Sequence, residues 1–353
     1  MKNDNITNEM VINALSGVMD PELHQDLVTL KMVKDVVVNG GEISFTIELT
    51  TPACPLRNKI ESDARQAVAA LKGVTAVNIN MSARVQSSGK SDSGQDHKIK
   101  NVVAIASGKG GVGKTTLAVN IAVSLAQTGA CVGLLDADIY GPNIPIMMGV
   151  NQQPTADGDK LKPIEAFGVK LMSIGFLVEP GMPIIWRGPL LHKAIEQFIN
   201  DVAWGELDYL IIDMPPGTGD VQISLAQTIN LSGGVIVTLP QQVSVDDAMR
   251  GLEIFNKLNV PVLGVVENMS YLELPDGSRM DIFGEGGGVR MAEDANVPFI
   301  GSIPLDAGVR QGGDQGEPVV ISDPDTASAK AMRSIAQIIA AKLSVAAANK
   351  MSG

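Results

Sequence analysis

The chain has 353 residues, a formal net charge of -12, 45% apolar residues and only 3% aromatics. That is length enough for two folded units with cores of Val, Ile, Leu, Ala and Met. The acidic balance excludes a surface that grips nucleic-acid phosphates. The polar start MKNDNITNEM lacks the apolar stretch of a signal peptide. No uninterrupted apolar run approaches the roughly 20 residues that span a bilayer. Two cysteines, Cys54 and Cys131, cannot build a disulfide framework, so a reducing, cytoplasmic setting is expected, without nucleic-acid or membrane partners.

Residues 1–85 read as a small α+β unit. Met10, Ala14 and Val18 mark a helical face before Asp20-Pro21-Glu22. Strands are predicted over 32–38 and 43–49, with Asn39-Gly40 as the hairpin signal. A loop, TTPACPLR at 50–57, carries Cys54 into a helix over 58–71, and a strand over 74–81 follows. Residues 86–98 (QSSGKSDSGQDHK) hold no apolar side chain and read as a flexible linker.

From residue 99 to 353 strands alternate with helices, the pattern of a mainly parallel sheet with helices on both faces. A strand over 101–107 runs into Gly108-Lys109-Gly110-Gly111-Val112-Gly113-Lys114-Thr115-Thr116, and Leu117, Ile121 and Leu125 mark the helix that leaves it. Strands are expected over 131–135, 169–174, 208–212, 234–239 and 261–266. Cys131 opens one of them and reads as a buried small hydrophobe. Helices are expected over 192–202, over 244–258 with Ser244 as N-cap, and over 326–348 with a packed stripe at Ile335, Ile338, Ile339 and Leu343. Asp136 and Asp138, then Asp213, then Asn268 each follow a strand, so all fall at the carboxyl edge where such sheets bind ligands.

Residues 108–116 fit G-x-x-x-x-G-K-[ST], with Gly108 and Gly113 as the fixed glycines. Glycines let backbone N–H groups converge on a polyphosphate, and the following helix points its positive end at the same anion. Lys114 is placed to neutralise phosphate, and the Thr115 hydroxyl to coordinate Mg²⁺. Three stretches give less. Trp186 and Arg187 lie in a loop over 182–190, and 284–288 (GEGGG) either approaches a ligand closely or is mobile. His24, His97 and His192 are too scattered for a metal site.

These segments together resemble the Mrp/ApbC family of ATPases, part of the deviant phosphate-loop class. The matching pieces are SGKGGVGKTT, LLDADIYGPNIP, IIDMPPGTGD, ENMSY and IFGEGGG, and the first 85 residues resemble the small domain often fused to that family. The resemblance implies a homodimeric ATPase that binds ATP and Mg²⁺ and passes iron–sulfur clusters from assembly scaffold to apo-proteins. It implies that Lys109 points across the dimer at the partner's phosphates, that Asp138 orients the attacking water, and that Asp213 holds magnesium through its water shell. It implies that Asn268 reads adenine and that Asp306 lies near the base, while Asp136 is structural. Gly217 and Gly219 would let the loop after Asp213 answer to the γ phosphate.

One piece of the family pattern is missing. Its Cys-x-x-Cys pair falls between ENMSY and IFG, where this chain reads LELPDGSRMD at 272–281. Cys54 is then the candidate cluster ligand, because a cysteine before a helix is favoured as thiolate; the alternative is a structural cysteine in a Pro-flanked turn. Three functions stay open: a cluster carrier, a nucleotide-switched scaffold in cluster assembly that holds no cluster, and a positioning ATPase of the plasmid-partition and division-site kind.

Overall fold

The structure, a computed structural model, describes residues 6–88, 99–158, 160–177 and 188–352. Most of the expected linker and the loop residues Trp186 and Arg187 lie outside these. The chain forms two compact units, one running up to Gln86 and joined by the residues from Ala340 onward, the other Ser87–Ile339.

The first unit opens with helix α1 (Asn8–Leu15), whose N-cap Thr7 accepts a hydrogen bond from the Met10 amide. Val11 and Leu15 are its buried face, and Met10 stands 38% exposed. Val18 is buried as expected, but within the helix the buried face falls one residue later than Met10 and Ala14. Val11 and Leu15, four residues apart, bury a larger branched pair than Met10 and Ala14 would. Strand β1 (Val33–Asn39) pairs antiparallel with β2 (Glu42–Leu49). Between them Gly40 takes a φ of +62°, which suits glycine in a tight turn. Helix α2 (Arg57–Ala69) then crosses to β3 (Ala76–Ala83), which lies parallel to β2. Ile43, Phe45, Ile47 and Leu49 alternate inward along β2 to meet Ile60, Ala64 and Val68 of α2.

The second unit is built on an eight-stranded sheet. Its strands in chain order are β4 (Ile99–Ser107), β5 (Val132–Asp136), β6 (Ile164–Ala166), β7 (Val169–Ser173), β8 (Leu207–Asp213), β9 (Gly233–Thr238), β10 (Val262–Glu267) and β11 (Phe299–Ser302). Their spatial order is β6-β7-β5-β8-β4-β9-β10-β11, with every neighbouring pair parallel except β6 with β7. Val103 to Ser107, and all of β9, are buried without a break. Successive strand residues face opposite sides, so both faces of the central strands are covered. The parallel register sets Asp213 opposite Asp136, and Thr238 opposite Glu267, at one edge.

Helix α3 (Lys114–Gln127) follows β4, α4 (Gly188–Asn200) precedes β8, α5 (Asp220–Thr228) follows it, and α6 (Gln242–Lys257) follows β9. α6 starts two residues before the expected Ser244. Its cap is Gln241, and the Ser244 hydroxyl instead accepts the Leu239 amide, tying the helix to the end of β9. Cys131 lies just outside β5 and is exposed, contrary to the buried position expected for it. Its amide bonds to Asp208 Oδ2 at the mouth of the sheet, where the apolar run has not yet entered the core.

Helices α7 (Gly287–Asp294), α8 (Ala307–Gln315) and α9 (Ala327–Ser352) complete the chain. Along α9, Ile335, Ile339 and Leu343 are buried. Among the described residues it is the one helix long and apolar enough to cross a membrane, with half of that stretch buried inside the protein.

Candidate nucleotide-binding site

The loop between β4 and α3 takes its shape from what surrounds it. A Cβ on Gly108 would lie 2.0 Å from the Asp247 carbonyl carbon of α6, so only glycine lets the helix approach there. Gly113 has a φ of +83°, a left-handed conformation that begins α3. Gly110 and Gly111 have no heavy atom within 4 Å of where a Cβ would stand, which leaves that side of the loop open. The Ser107 hydroxyl donates to the Lys109 carbonyl at 2.9 Å. The Ser107 carbonyl takes the Gly217 amide at 3.1 Å, joining this loop to the one after Asp213. Loop and sheet edge enclose a cavity of about 380 Å³ lined by Lys109, Lys114, Thr115, Thr116, Asp138, Tyr140 and Met147 among others.

Lys114 is 5% exposed and sits 2.6 Å from Asp213 Oδ1 and 3.5 Å from Asp138 Oδ2. The Thr115 hydroxyl donates to Asp213 Oδ2 at 2.7 Å. Burial pushes the Asp213 carboxyl upward, while the Lys114 charge and the hydroxyl work against it. Asp138 is fixed by the amides of Tyr140 and Gly141, both on Oδ1. That leaves Oδ2 toward Lys114.

Asp136 is buried, and it accepts from Ser173 Oγ, the Ile144 amide and the Asp138 amide. Its carboxyl is pushed up to about 8, first by burial and then by the Asp213 charge. The structure thus gathers Lys109, Lys114, Thr115 and Asp138 around one cavity, with Asp213 against Lys114 and Thr115. Ser107, which joins the two loops, escaped the sequence reading, since nothing in a strand-ending serine announces such a role.

Asn268 and Asp306 have different surroundings. The Asn268 amide donates to the Val112 carbonyl of the loop at 2.8 Å. Asp306 caps α8 through the Gly308 amide and accepts the Ser328 hydroxyl on its other oxygen. The last two glycines of the GEGGG stretch serve packing. A Cβ on Gly287 would lie 2.1 Å from the Pro240 carbonyl oxygen, and the Gly288 amide bonds to the buried Glu267 at 2.6 Å.

In the first unit, Cys54 is half-buried ahead of α2. Its thiol is pushed up to about 11, chiefly by burial and then by the nearby Glu22 and Asp20 carboxylates, against the Leu56 amide and Arg57. This reverses the thiolate expected from its place before a helix, because desolvation outweighs the amide. It also brings the Asp20-Pro21-Glu22 turn beside the cysteine, a proximity that the sequence did not reveal. At 272–281, where the family's cysteine pair would fall, Leu272–Glu273 and Arg279–Met280 form a two-stranded hairpin. Arg279 stacks over the Tyr271 ring at 4.1 Å. Among the described residues no group of three or more His, Cys, Asp or Glu side chains gathers to hold a metal.

A glycine-rich loop entering a helix at the carboxyl edge of a parallel sheet, with Lys114, Thr115 and Asp213 in contact, defines a P-loop nucleotide-binding protein. A family model of ParA type, described as NUBPL iron-transfer P-loop NTPase, matches residues 98–340, and one described as iron–sulfur cluster assembly protein matches residues 8–80. The chain belongs to this NUBPL-type, or Mrp/ApbC, family of iron-transfer P-loop NTPases.

Similar proteins include an iron–sulfur cluster carrier protein of Synechocystis, 52% identical over 351 residues, covering 97% of this chain and 99% of that protein. The chloroplastic Fe-S cluster assembly factor HCF101 of Arabidopsis thaliana is 43% identical over 322 residues, 89% of this chain and 60% of that one. A solved nucleotide-binding protein of Archaeoglobus fulgidus, in complex with ADP, has a TM-score of 0.56 at 39% identity over 62% of this chain and 87% of its own. The cell-division ATPase MinD of Pyrococcus furiosus shares the fold, with a TM-score of 0.53 at 22% identity over 68% of this chain and 98% of its own.

Proposed function

We propose that this protein is a Mg²⁺-dependent ATPase that delivers iron–sulfur clusters to apo-proteins as an ATP-bridged homodimer in the cytoplasm. The observation that carries the nucleotide half is Lys114 held between Asp213 and Asp138 at the mouth of an open glycine loop. Lys114 would bind the β and γ phosphates, taking them as a further anion beside Asp213. The hydroxyl of Thr115 is a hard oxygen donor that suits magnesium, and the carboxylate of Asp213 would hold the ion through its water shell. Bound there, the ion would neutralise charge on the transferring phosphoryl group. Asp138, with Oδ1 fixed by two amides, can orient water with Oδ2. Lys109 lines the same cavity and has no ion-pair partner among the described residues, which fits a lysine reserved for the partner's phosphates. Residues 1–85, 86–98 and 99–353 would serve as cluster-handling domain, linker and motor.

The cargo half rests on family membership and on Cys54. Two Cys54 thiolates of a dimer supply two ligands, and the rest would come from carboxylates such as Glu22, a small thiol or the client. A second reading, a nucleotide-switched scaffold that docks assembly proteins and holds no cluster, is favoured by the cysteine-free hairpin at 272–281 and by the raised Cys54 thiol. Anaerobic reconstitution, followed by visible absorption with iron and acid-labile sulfide analysis, separates the two. A carrier gives a coloured protein with matching iron and sulfide, both lost in Cys54→Ala. Colourless wild-type protein sinks the carrier reading, and ATP-dependent partner binding that survives Cys54→Ala then supports the scaffold.

A further inference from the structure

The loop after Asp213 leads into α5 and is tied to β4 at two points. The Met214 amide bonds to the Ile105 carbonyl at 3.0 Å, and the Gly217 amide to the Ser107 carbonyl at 3.1 Å. Past Gly217 the ties stop. Gly219 is the N-cap of α5, and its carbonyl takes both the Gln222 and the Ile223 amides, yet its own amide has no hydrogen-bond partner among the described residues. Three residues on, Gln222 is only 3% exposed, and its acyl oxygen Oε1 is buried without a partner among the described residues. It shares the inward face of the helix with the buried Leu225 and Ala226. An unpaired buried amide is costly in a native protein and calls for a reason. Gly219 calls for one too. Its φ of -84° and ψ of 177° are open to any residue, and a Cβ there would meet no heavy atom within 4 Å. Nothing in this conformation requires a glycine at 219.

A donor and an acceptor without partners thus stand at the two positions that pair in a capping box, where the third side chain of a helix reaches back to the N-cap amide. We infer that Gln222 is a positioning residue for phosphoryl transfer: with ATP in the cavity, its acyl oxygen takes the Gly219 amide and locks the start of α5 to the loop after Asp213. That loop borders the phosphate site through Pro216, which lines the cavity with Lys114 and Asp138. At its head, Asp213 holds Lys114 and Thr115. Bringing the Gly219 amide round turns one peptide plane, a change that glycine makes easy. The bond relieves the buried oxygen only in the ATP state, so it favours that state over the empty and ADP-bound ones. The inference rests on the nucleotide reading above and names the element that answers to the third phosphate.

The test compares the full chain with Gln222→Met, which has the same reach and no acceptor, and with Gln222→Glu, which keeps one. Melting is measured without nucleotide. Amide hydrogen exchange over 214–222 is measured with nothing added, with Mg²⁺-ADP and with a non-hydrolysable ATP analogue and Mg²⁺. Without nucleotide, Gln222→Met should melt at or above the unaltered protein, because it removes an unpaired polar atom from the interior. The ATP analogue, and not ADP, should slow exchange in the unaltered protein and in Gln222→Glu, about three- to tenfold for one buried hydrogen bond. Gln222→Met should lose that slowing and hydrolyse ATP more slowly by a similar factor, with its ADP dissociation constant unchanged. A Gln222→Met protein that melts lower or does not fold would overturn the inference, since the glutamine then had a partner to lose. So would slowing that persists in Gln222→Met, or that is missing from Gln222→Glu or from the unaltered protein with the analogue bound. Failure of the unaltered protein to bind either nucleotide in calorimetry would count against the nucleotide reading instead, and the melting comparison would still decide whether Gln222 stands unpaired.

Discussion

At the phosphate loop, Lys114 lies buried 2.6 Å from Asp213, and the Thr115 hydroxyl occupies the other oxygen of that carboxylate. At the turn before α2, Cys54 is half-buried near Glu22 and Asp20, and its thiol is pushed up to about 11. In the first region the Lys114 charge and the Thr115 hydroxyl work against the burial of Asp213, so the cation and its partner are in contact before a ligand arrives. The second keeps its reactive group neutral, because burial and two carboxylates oppose the thiolate. A phosphate would therefore find a preformed site, whereas any metal taken up at Cys54 would have to displace a proton. The contrast suggests where control can act: on loading at the cysteine rather than on recognition at the loop.

Breaking the paired region should have the largest effect. Lys114→Ala leaves Asp213 as a lone buried carboxylate, so it should abolish nucleotide binding and lower unfolding stability by about 3–5 kcal/mol in denaturant titrations. An unchanged midpoint would mean that Lys114 is not buried with its partners. Gly108→Ala attacks the packing under the loop, since a Cβ there meets α6 backbone at 2.0 Å. It should cost about 1–3 kcal/mol and weaken ATP binding along with it.

The neutral region is sharpened by pH. An unfolded thiol ionises near 9.0 and this one near 11, so the folded state holds its proton over that interval. Stability from this group is full below pH 9 and is lost as pH rises toward 11. Alkylation of Cys54 by iodoacetamide should accordingly be slow at pH 8 and climb through pH 10, and a profile with its midpoint below 9 would refute the neutral thiol. If the protein is a carrier that uses Cys54, its iron retention should rise with pH over the same range. The smallest change is expected at the hairpin, where Arg279→Ala removes an exposed contact with Tyr271 worth about 0.5–1 kcal/mol. ATP hydrolysis should not respond to it.

Much of this was legible in the chain because the responsible contacts are local. The phosphate loop follows from glycines at fixed spacing, and Asp136, Asp213 and Asn268 reach one edge because parallel strands in register end together. Long-range packing was not legible. Gly287 and Gly288 answer to Pro240 and Glu267, Gly108 to α6, and the Asn268 amide to Val112, all partners distant in sequence. Cys131 was misplaced because an apolar run cannot show that its first residue still lies outside the sheet. Cys54 was misjudged because a helix start reports the favourable amide and not the burial or the Asp20-Pro21-Glu22 turn. The segment after Ala340 belongs with the first unit, which no motif signals.

If the loop binds ATP by itself and Lys109 is delivered to a second subunit, hydrolysis needs Lys109 and binding does not. The direct test is to measure the steady-state ATPase rate and the ATP dissociation constant of Lys109→Ala beside the unaltered protein. The account predicts a rate lower by about a thousandfold with a dissociation constant within about threefold, as for a charge supplied in trans. An unchanged rate, or binding lost in step with hydrolysis, would contradict it.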